Sequence, residues 1–292
     1  MTTSMSRCPT RVVLNFTHCC ALKCEWCYVT FGAERVQRQI VNEVVDRVAL
    51  LGFHTITFGG GDPFQYSYLG DLAQRAKSSG LNVHIDTHGK SLIASNANKR
   101  LVTDTIHLLG LPLDGPNADV HDSMRDAPGH FDIVINRLRW LKKIGARFKV
   151  NTVVTRSNIE LLAQLAVLIH ELSPWRWSVY QYMPLGPGAE VSATHSVDVL
   201  EFQTAVASIG KQLGTLGEQM LEVANNESRR STYPIVDHEG SVFVHSNERP
   251  NILMPVCSIF DVYARDQIDK ACGPERLAVR SRYFPVRATL IE

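Results

Sequence analysis

Short β-branched strands alternating with amphipathic helices constrain this chain more than any other feature. Arg11 to Phe16 is apolar and β-branched. From Ala33 to Leu51, Val36, Ile40, Val41, Val44, Val45, Val48 and Leu51 recur at three- and four-residue spacing, which predicts a helix with one apolar stripe. A second strand, Thr55-Ile56-Thr57-Phe58, runs into Gly59-Gly60-Gly61-Asp62-Pro63. Leu69, Leu72, Ala73 and Ala76 predict the next helix, ahead of a strand from Leu81 to Asp86. The apolar segment Thr105 to Leu111 leads to a loop containing Asp114-Gly115-Pro116. Phe131 to Ile144 is helical by spacing, and Gly145 is placed to end it. Strands at Phe148 to Val154 and Trp175 to Tyr182 bracket a helix from Ile159 to Leu172. This order predicts an α/β fold, a parallel sheet wrapped by helices, either open or a partial (β/α)6 barrel, whose carboxyl-end loops carry the chemistry. The core is expected over residues 8–190, since Pro and Gly in Met183-Pro184-Leu185-Gly186-Pro187-Gly188 mark a boundary. Residues 191–292 are expected to form a small carboxyl-terminal cap, with a helix near Val197 to Leu216 and a hairpin from Tyr233 to His245 turning at Glu239-Gly240.

Composition narrows the function classes. The 292 residues are 45% hydrophobic and 20% charged, which argues against disorder. Thirty basic residues against 29 acidic ones leave a formal charge of +1, so no global field draws the chain to nucleic acid or an anionic membrane. An anionic ligand must therefore be held by local cations. The opening MTTSMSRCPTR has no apolar core of a signal peptide, and no apolar run approaches the roughly 18 residues of a membrane span. A cytoplasmic protein without a membrane span is expected. Cysteines stand at 8, 19, 20, 24, 27, 257 and 272, four of them within nine residues, which in a reducing compartment predicts metal or redox chemistry.

Cys20, Cys24 and Cys27 form C-x3-C-x2-C on the loop after the first strand. Three thiolates on one short loop can hold three irons of a [4Fe-4S] cluster and leave the fourth open to a ligand. A Cys3His zinc site using His18 and a thioredoxin-like pair at Cys24 and Cys27 are the alternatives. Zinc sites normally bring a second ligand pair, whereas Cys257 and Cys272 lack that spacing. Cys8 and Cys19 read as spectators.

The motif resembles that of the radical S-adenosylmethionine (SAM) enzymes. The resemblance implies a partial barrel of their type, a [4Fe-4S] cluster and SAM as cofactors, a 5′-deoxyadenosyl radical as the reactive species, and a reducing partner of flavodoxin or ferredoxin type. Tyr28 fits the aromatic that follows the third cysteine. Gly59, Gly60, Gly61, Asp62 and Pro63 fall where the family carries Gly-Gly-Glu-Pro, and glycines let backbone approach a ligand closely. Thr87 lies where the family contacts the ribose, and Arg125 matches an arginine that pairs with the cofactor carboxylate. Pro112 stands where a serine is commoner. His88 and His121 read as loop histidines.

The second half resembles the viperin-like nucleotide dehydratases through Phe148 to Asn158 and Ser173 to Gln181. Alternation independently places Lys149, Asn151 and Val153 on one strand face, and Arg176, Ser178 and Tyr180 on another. Cations facing a barrel interior need an anionic partner, either a nucleoside phosphate or internal carboxylates such as Asp86 and Asp114. Thr232 to Asp237 and Leu277 to Tyr283 extend the resemblance and add Tyr233 and Arg280 to the implied substrate residues. Two positions depart: viperin has a lysine where Ser178 stands and an asparagine where Val13 stands. The resemblance implies dehydration of a nucleotide at its ribose, and the two departures, which remove a cation and an amide, make the cytidine triphosphate used by viperin the poorer substrate expected here. The other readings are radical tailoring of a nucleoside, sugar or phosphorylated metabolite, and a structural zinc protein. Peptide modification fits less well, since Cys257 and Cys272 alone are too few for an auxiliary cluster.

Overall fold

The computed structural model describes residues 10–30, 36–246, 248–249 and 251–272. Arg280 and Cys8 lie outside the described residues. So does the start of the first predicted helix at 33–35.

Six parallel strands form the centre: β1 (Arg11–Thr17), β2 (Thr55–Gly60), β3 (Asn82–Asp86), β4 (Leu108–Pro112), β5 (Phe148–Val154) and β6 (Arg176–Gln181). Helices α1 (Arg38–Leu50), α2 (Leu69–Ser78), short α3 (Asn96–Arg100), α4 (Ala118–Arg125), α5 (His130–Lys143) and α6 (Leu162–Leu172) connect them. Each long helix presents the stripe its sequence encodes. Val41, Val44, Val45 and Val48 of α1 are fully buried, as are Val134, Leu138 and Leu141 of α5. Complete burial of such a side chain contributes about 1.5–3 kcal/mol, so the stripes fix the helices against the sheet. β4 is buried at every position, as expected of a parallel strand covered on both faces.

The chain beyond residue 190, expected as a small carboxyl-terminal cap, adds strands to the same sheet. β7 (Leu221–Ala224) pairs parallel with β6 at one side, while β8 (Ile235–Asp237) pairs parallel with β1 at the other. β9 (Ser241–His245) and β10 (Leu253–Ser258) continue antiparallel from β8. The order is β10-β9-β8-β1-β2-β3-β4-β5-β6-β7, an open sheet and not a closed barrel. The predicted hairpin turns at Gly240 as expected. Among the described residues no helix is long and apolar enough to cross a membrane.

Candidate active site

Strands β1, β2, β3, β5, β6 and β7 curl around one cavity of about 520 Å³. Cys20, Cys24 and Cys27 line one part of it, on the loop that leaves β1. That loop is held from two sides. Leu22, Cys24 and Ala127 form a small buried cluster, and Trp26 Nε1 donates to the Met124 carbonyl of α4 at 3.0 Å. From the other side comes the Pro- and Gly-rich stretch read as a boundary. A Cβ on Gly188 would lie 2.5 Å from the Trp26 carbonyl oxygen, so this segment packs backbone to backbone behind the cysteines.

The glycine turn closes against the same loop. A Cβ on Gly61 would sit 1.8 Å from the Cys19 carbonyl oxygen, and Gly61 N donates to Thr17 O at 2.7 Å. Only glycine permits that approach. Gly59, Gly60 and Gly61 reach the cavity wall, whereas Asp62 and Pro63, expected beside the cofactor, lie buried behind it. The physical reason is the tight turn at Pro63–Gln65, which directs both into the core. There Asp62 accepts a hydrogen bond from the Thr87 hydroxyl and faces His88 Nε2 at 3.3 Å. Burial raises the Asp62 pKa, against the hydrogen bonds from Thr87 and Ser91. Thr87 is on the wall, as expected.

Arg125 is also on the wall, yet its guanidinium is engaged within the protein. Nε and Nη2 each lie 2.7 Å from Asp114 Oδ2, Nη1 lies 3.8 Å from Cys24 Sγ, and the group stands 4.6 Å over the Trp26 ring. Asp114 is fully buried. The arginine therefore ties the cysteine loop to the β4 end, a contact that the expected pairing with a cofactor carboxylate did not include. Tyr28 lines the cavity and donates to Asn15 Oδ1 at 3.2 Å.

Beneath α4 runs a chain of imidazoles. Asp114 N donates to His121 Nδ1 at 3.0 Å, which leaves His121 Nε2–H to donate to His130 Nδ1 at 2.9 Å. His130 Nε2–H then donates to the His88 carbonyl at 2.8 Å. The first bond fixes the tautomer of His121 and the second that of His130, and burial lowers the pKa of both rings. Burial, with the Arg125 charge adding to it, lowers His88 to about 4.

The rest of the wall sets polar and charged side chains among apolar ones. Lys149, Asn151 and Val153 all reach the wall, as alternation on β5 requires. Lys149 is only 2% exposed, and its Nζ lies 3.3 Å from Asp86 Oδ1, so an internal carboxylate partners it. Asn151 Nδ2 donates to the same oxygen at 2.8 Å, and His84 Nε2 stands 3.2 Å away. Burial alone would lower the Lys149 pKa, but Asp86, Tyr180 and Glu222 hold it above the usual value. Gly110 leaves room for this network, since a Cβ there would lie 1.9 Å from Asp86 Oδ1 and 2.7 Å from Lys149 Cε.

Arg176 is buried at the amino end of β6 and lies 4.9 Å over the Trp175 ring; it does not reach the cavity wall. Of its strand face, only Tyr180 does. Ser178 donates to Glu222 Oε2 at 2.7 Å, so the position occupied by lysine in viperin is next to a carboxylate here. Tyr233 lines the cavity, while Arg280 lies outside the described residues. Residues that sequence reading missed complete the wall: Arg11, His84, Glu222 and Arg229. Arg11 shares a strand face with Val13 and was open to an alternation argument. Glu222 and Arg229 carry no motif: the pairing of β7 with β6 brings in Glu222, and the segment that follows β7 brings in Arg229.

An open parallel sheet presenting a three-cysteine loop and a glycine turn to one cavity is the arrangement of iron–sulfur enzymes that use S-adenosylmethionine. The chain belongs to the radical SAM superfamily, whose family model matches residues 14–168. It is a radical SAM enzyme, and the family uses a [4Fe-4S] cluster with SAM. The residues present fit both: three thiols and a glycine wall share the cavity. Among the described residues no three of His, Cys, Asp or Glu converge to hold a single metal ion. A cluster takes one cysteine per iron and does not require such convergence.

The AdoMet-dependent heme synthase of Oleidesulfovibrio alaskensis is 28% identical over 186 residues, covering 62% of this chain and 48% of that protein. The chain thus spans about half the length of that relative. An S-adenosylmethionine-dependent nucleotide dehydratase of Flammeovirga pacifica is 25% identical over 243 residues, covering 78% of this chain and 80% of that one. Among solved structures, anSMEcpe with bound AdoMet superposes with a TM-score of 0.71 at 14% identity, covering 90% of this chain and 83% of the other.

Proposed function

We infer that this radical SAM enzyme is a dehydratase acting on the ribose of a nucleotide, with a mono- or diphosphate preferred over cytidine triphosphate. The observation that carries this reading is the set of polar side chains on the cavity wall, where Lys149, Asn151, Arg229 and Tyr233 share one space with the cysteine loop. The similarity to a nucleotide dehydratase over 80% of that protein's length supports it. When bound, the cluster and SAM supply the electron and the hydrogen-abstracting radical. The chain's own residues position the substrate and manage its protons. Lys149 Nζ stays protonated beside Asp86 and is placed to donate to a departing hydroxyl, so that the group leaves as water. Asp86 and Glu222 on the same wall disfavour a highly charged triphosphate, because like charges facing one another in a partly desolvated cavity repel.

The experiment is an anaerobic assay of 5′-deoxyadenosine formation across nucleosides and their mono-, di- and triphosphates, with Cys24→Ala as the inactive control. Selective stimulation by a mono- or diphosphate and appearance of a dehydrated nucleotide are expected. Selective turnover of cytidine triphosphate would overturn the phosphate preference. No stimulation by any nucleotide would turn the reading to a sugar or other small metabolite, whose hydroxyls Asp86 and Glu222 would accept.

A further inference from the structure

The segment between β7 and β8 carries a cluster of cationic and phenolic groups that no motif announced. Asn226 holds it in place: its backbone N donates to Gln181 Oε1 and its Nδ2 to the Tyr182 carbonyl, both at 3.0 Å. Three residues on, the Arg229 guanidinium lies 4.9 Å from the Tyr180 ring centroid and hydrogen-bonds Tyr233. Arg11, from β1, stacks on the same Tyr233 ring at 4.3 Å. All four side chains line the cavity.

Two guanidiniums converging on one phenol inside a partly desolvated space form an electropositive subsite. Arg229 makes its contacts here with two aromatic residues, the Tyr180 ring and the Tyr233 hydroxyl. Its side chain lines the cavity beside the Tyr180 ring, and a planar fork of donors suits phosphoryl oxygens. The Tyr233 phenol responds to the same field: burial would raise its pKa, but Arg229, Arg11 and Lys149 together lower it. An anion entering the cavity experiences that field too.

We propose that Arg229, with Arg11 and Tyr233, forms the anion subsite of this enzyme and holds one phosphoryl group of the substrate. The assignment rests on the nucleotide reading for its natural ligand, but not for its chemistry. It also relocates the cation absent at Ser178, from the β6 strand to the segment after β7.

The test is isothermal titration of the full, anaerobically reconstituted chain with four ribonucleoside monophosphates, their parent nucleosides and inorganic pyrophosphate, at low and moderate salt. At least one monophosphate is expected to bind more tightly than its nucleoside, with salt-sensitive affinity. Arg229→Gln should weaken that monophosphate and pyrophosphate by about tenfold or more while leaving nucleoside affinity unchanged. Arg229→Lys, which keeps the charge, should lose clearly less and serves if the Gln variant does not fold. Monophosphate binding that is indifferent to Arg229→Gln would overturn the subsite and leave the nucleotide reading standing. Arg229-dependent binding of pyrophosphate without binding of any nucleotide would do the reverse. Equal weakening of nucleoside and monophosphate, or no binding of any probe, would also overturn it.

Discussion

At the scale of single residues, Arg125 and Asp114 show what holds the cysteine loop. Asp114 is completely buried and takes both of its short contacts to Arg125 on one oxygen, while the other accepts from Val153 N at 2.9 Å. Removing the guanidinium leaves a buried carboxylate without its cation, which typically costs about 3–5 kcal/mol. Arg125→Ala is therefore expected to lower the chemical-denaturation midpoint and the iron retained per chain together. Iron content and stability equal to the parent protein would show that Arg125 serves only the cofactor. The histidines set a pH dependence. His88 titrates at about 4 in the folded chain, below the 6.5 of an unhindered imidazole. Between those values the unfolded chain binds the proton and the folded chain does not, so stability falls as pH drops through that window. Linkage gives His88 alone a loss of about 2 kcal/mol between about pH 7 and pH 5. His88→Gln should flatten the pH profile of the urea midpoint relative to the parent, a difference that cancels any acid sensitivity the two share. Superimposable profiles would mean that His88 is solvated.

Among the elements, the glycine turn and the cysteine loop act as a pair. The Gly61 position has no room for a methyl group because the Cys19 backbone occupies it, one residue before the first expected cluster ligand. Gly61→Ala must push that backbone away. The expected result is a folded protein whose reconstituted iron falls well below the parent's, read by iron analysis with circular dichroism to confirm the fold. Full iron loading would show that the loop yields without disturbing Cys20. Elements with long apolar stripes were legible in the sequence, because burial on one helix face or alternate strand positions writes a period of three to four or of two. α1, α2, α5 and α6 lie on the predicted segments, with ends displaced by a few residues, for that reason. β7 was not legible: Leu221-Glu222-Val223-Ala224 is four residues long, and what makes it a strand is the β6 edge waiting for it. Asn96–Thr105, where a short helix runs into a π turn, carries no buried stripe in its first five residues and was equally silent.

For the molecule as a whole, the sheet order decides what can stand alone. A chain ending at residue 190 would leave β1 without β8 and β6 without β7, exposing two sheet edges at once. Such a truncation is expected to aggregate or to run well above its monomer size by gel filtration. A soluble, cooperatively unfolding monomer would instead support an independent core over residues 8–190. The same topology explains why the site was half legible. The cysteines, the glycine turn, Thr87, Lys149 and Asn151 sit on loops and strands that the sequence marks one after another. Arg11, Glu222 and Arg229 become neighbours only when both ends of the chain reach the sheet, a relation no local spacing records.

The pairing of Val13 with Ile235 joins positions more than 220 residues apart. Contacts of such long range form slowly, because a large loop must be closed before any bond repays the lost entropy. During synthesis β1 leaves the ribosome early and can pair with β2 at once, whereas its β8 partner is made much later. The cysteine loop, the glycine turn and the Lys149 network can therefore take shape on a nascent chain that lacks Arg229 and Tyr233. Assembly thus orders the two halves of the cavity in time: the segments expected to generate the radical are made before those that would hold the molecule it attacks, and an unfinished chain, its sheet edges still open, is one that should not yet be supplied with iron.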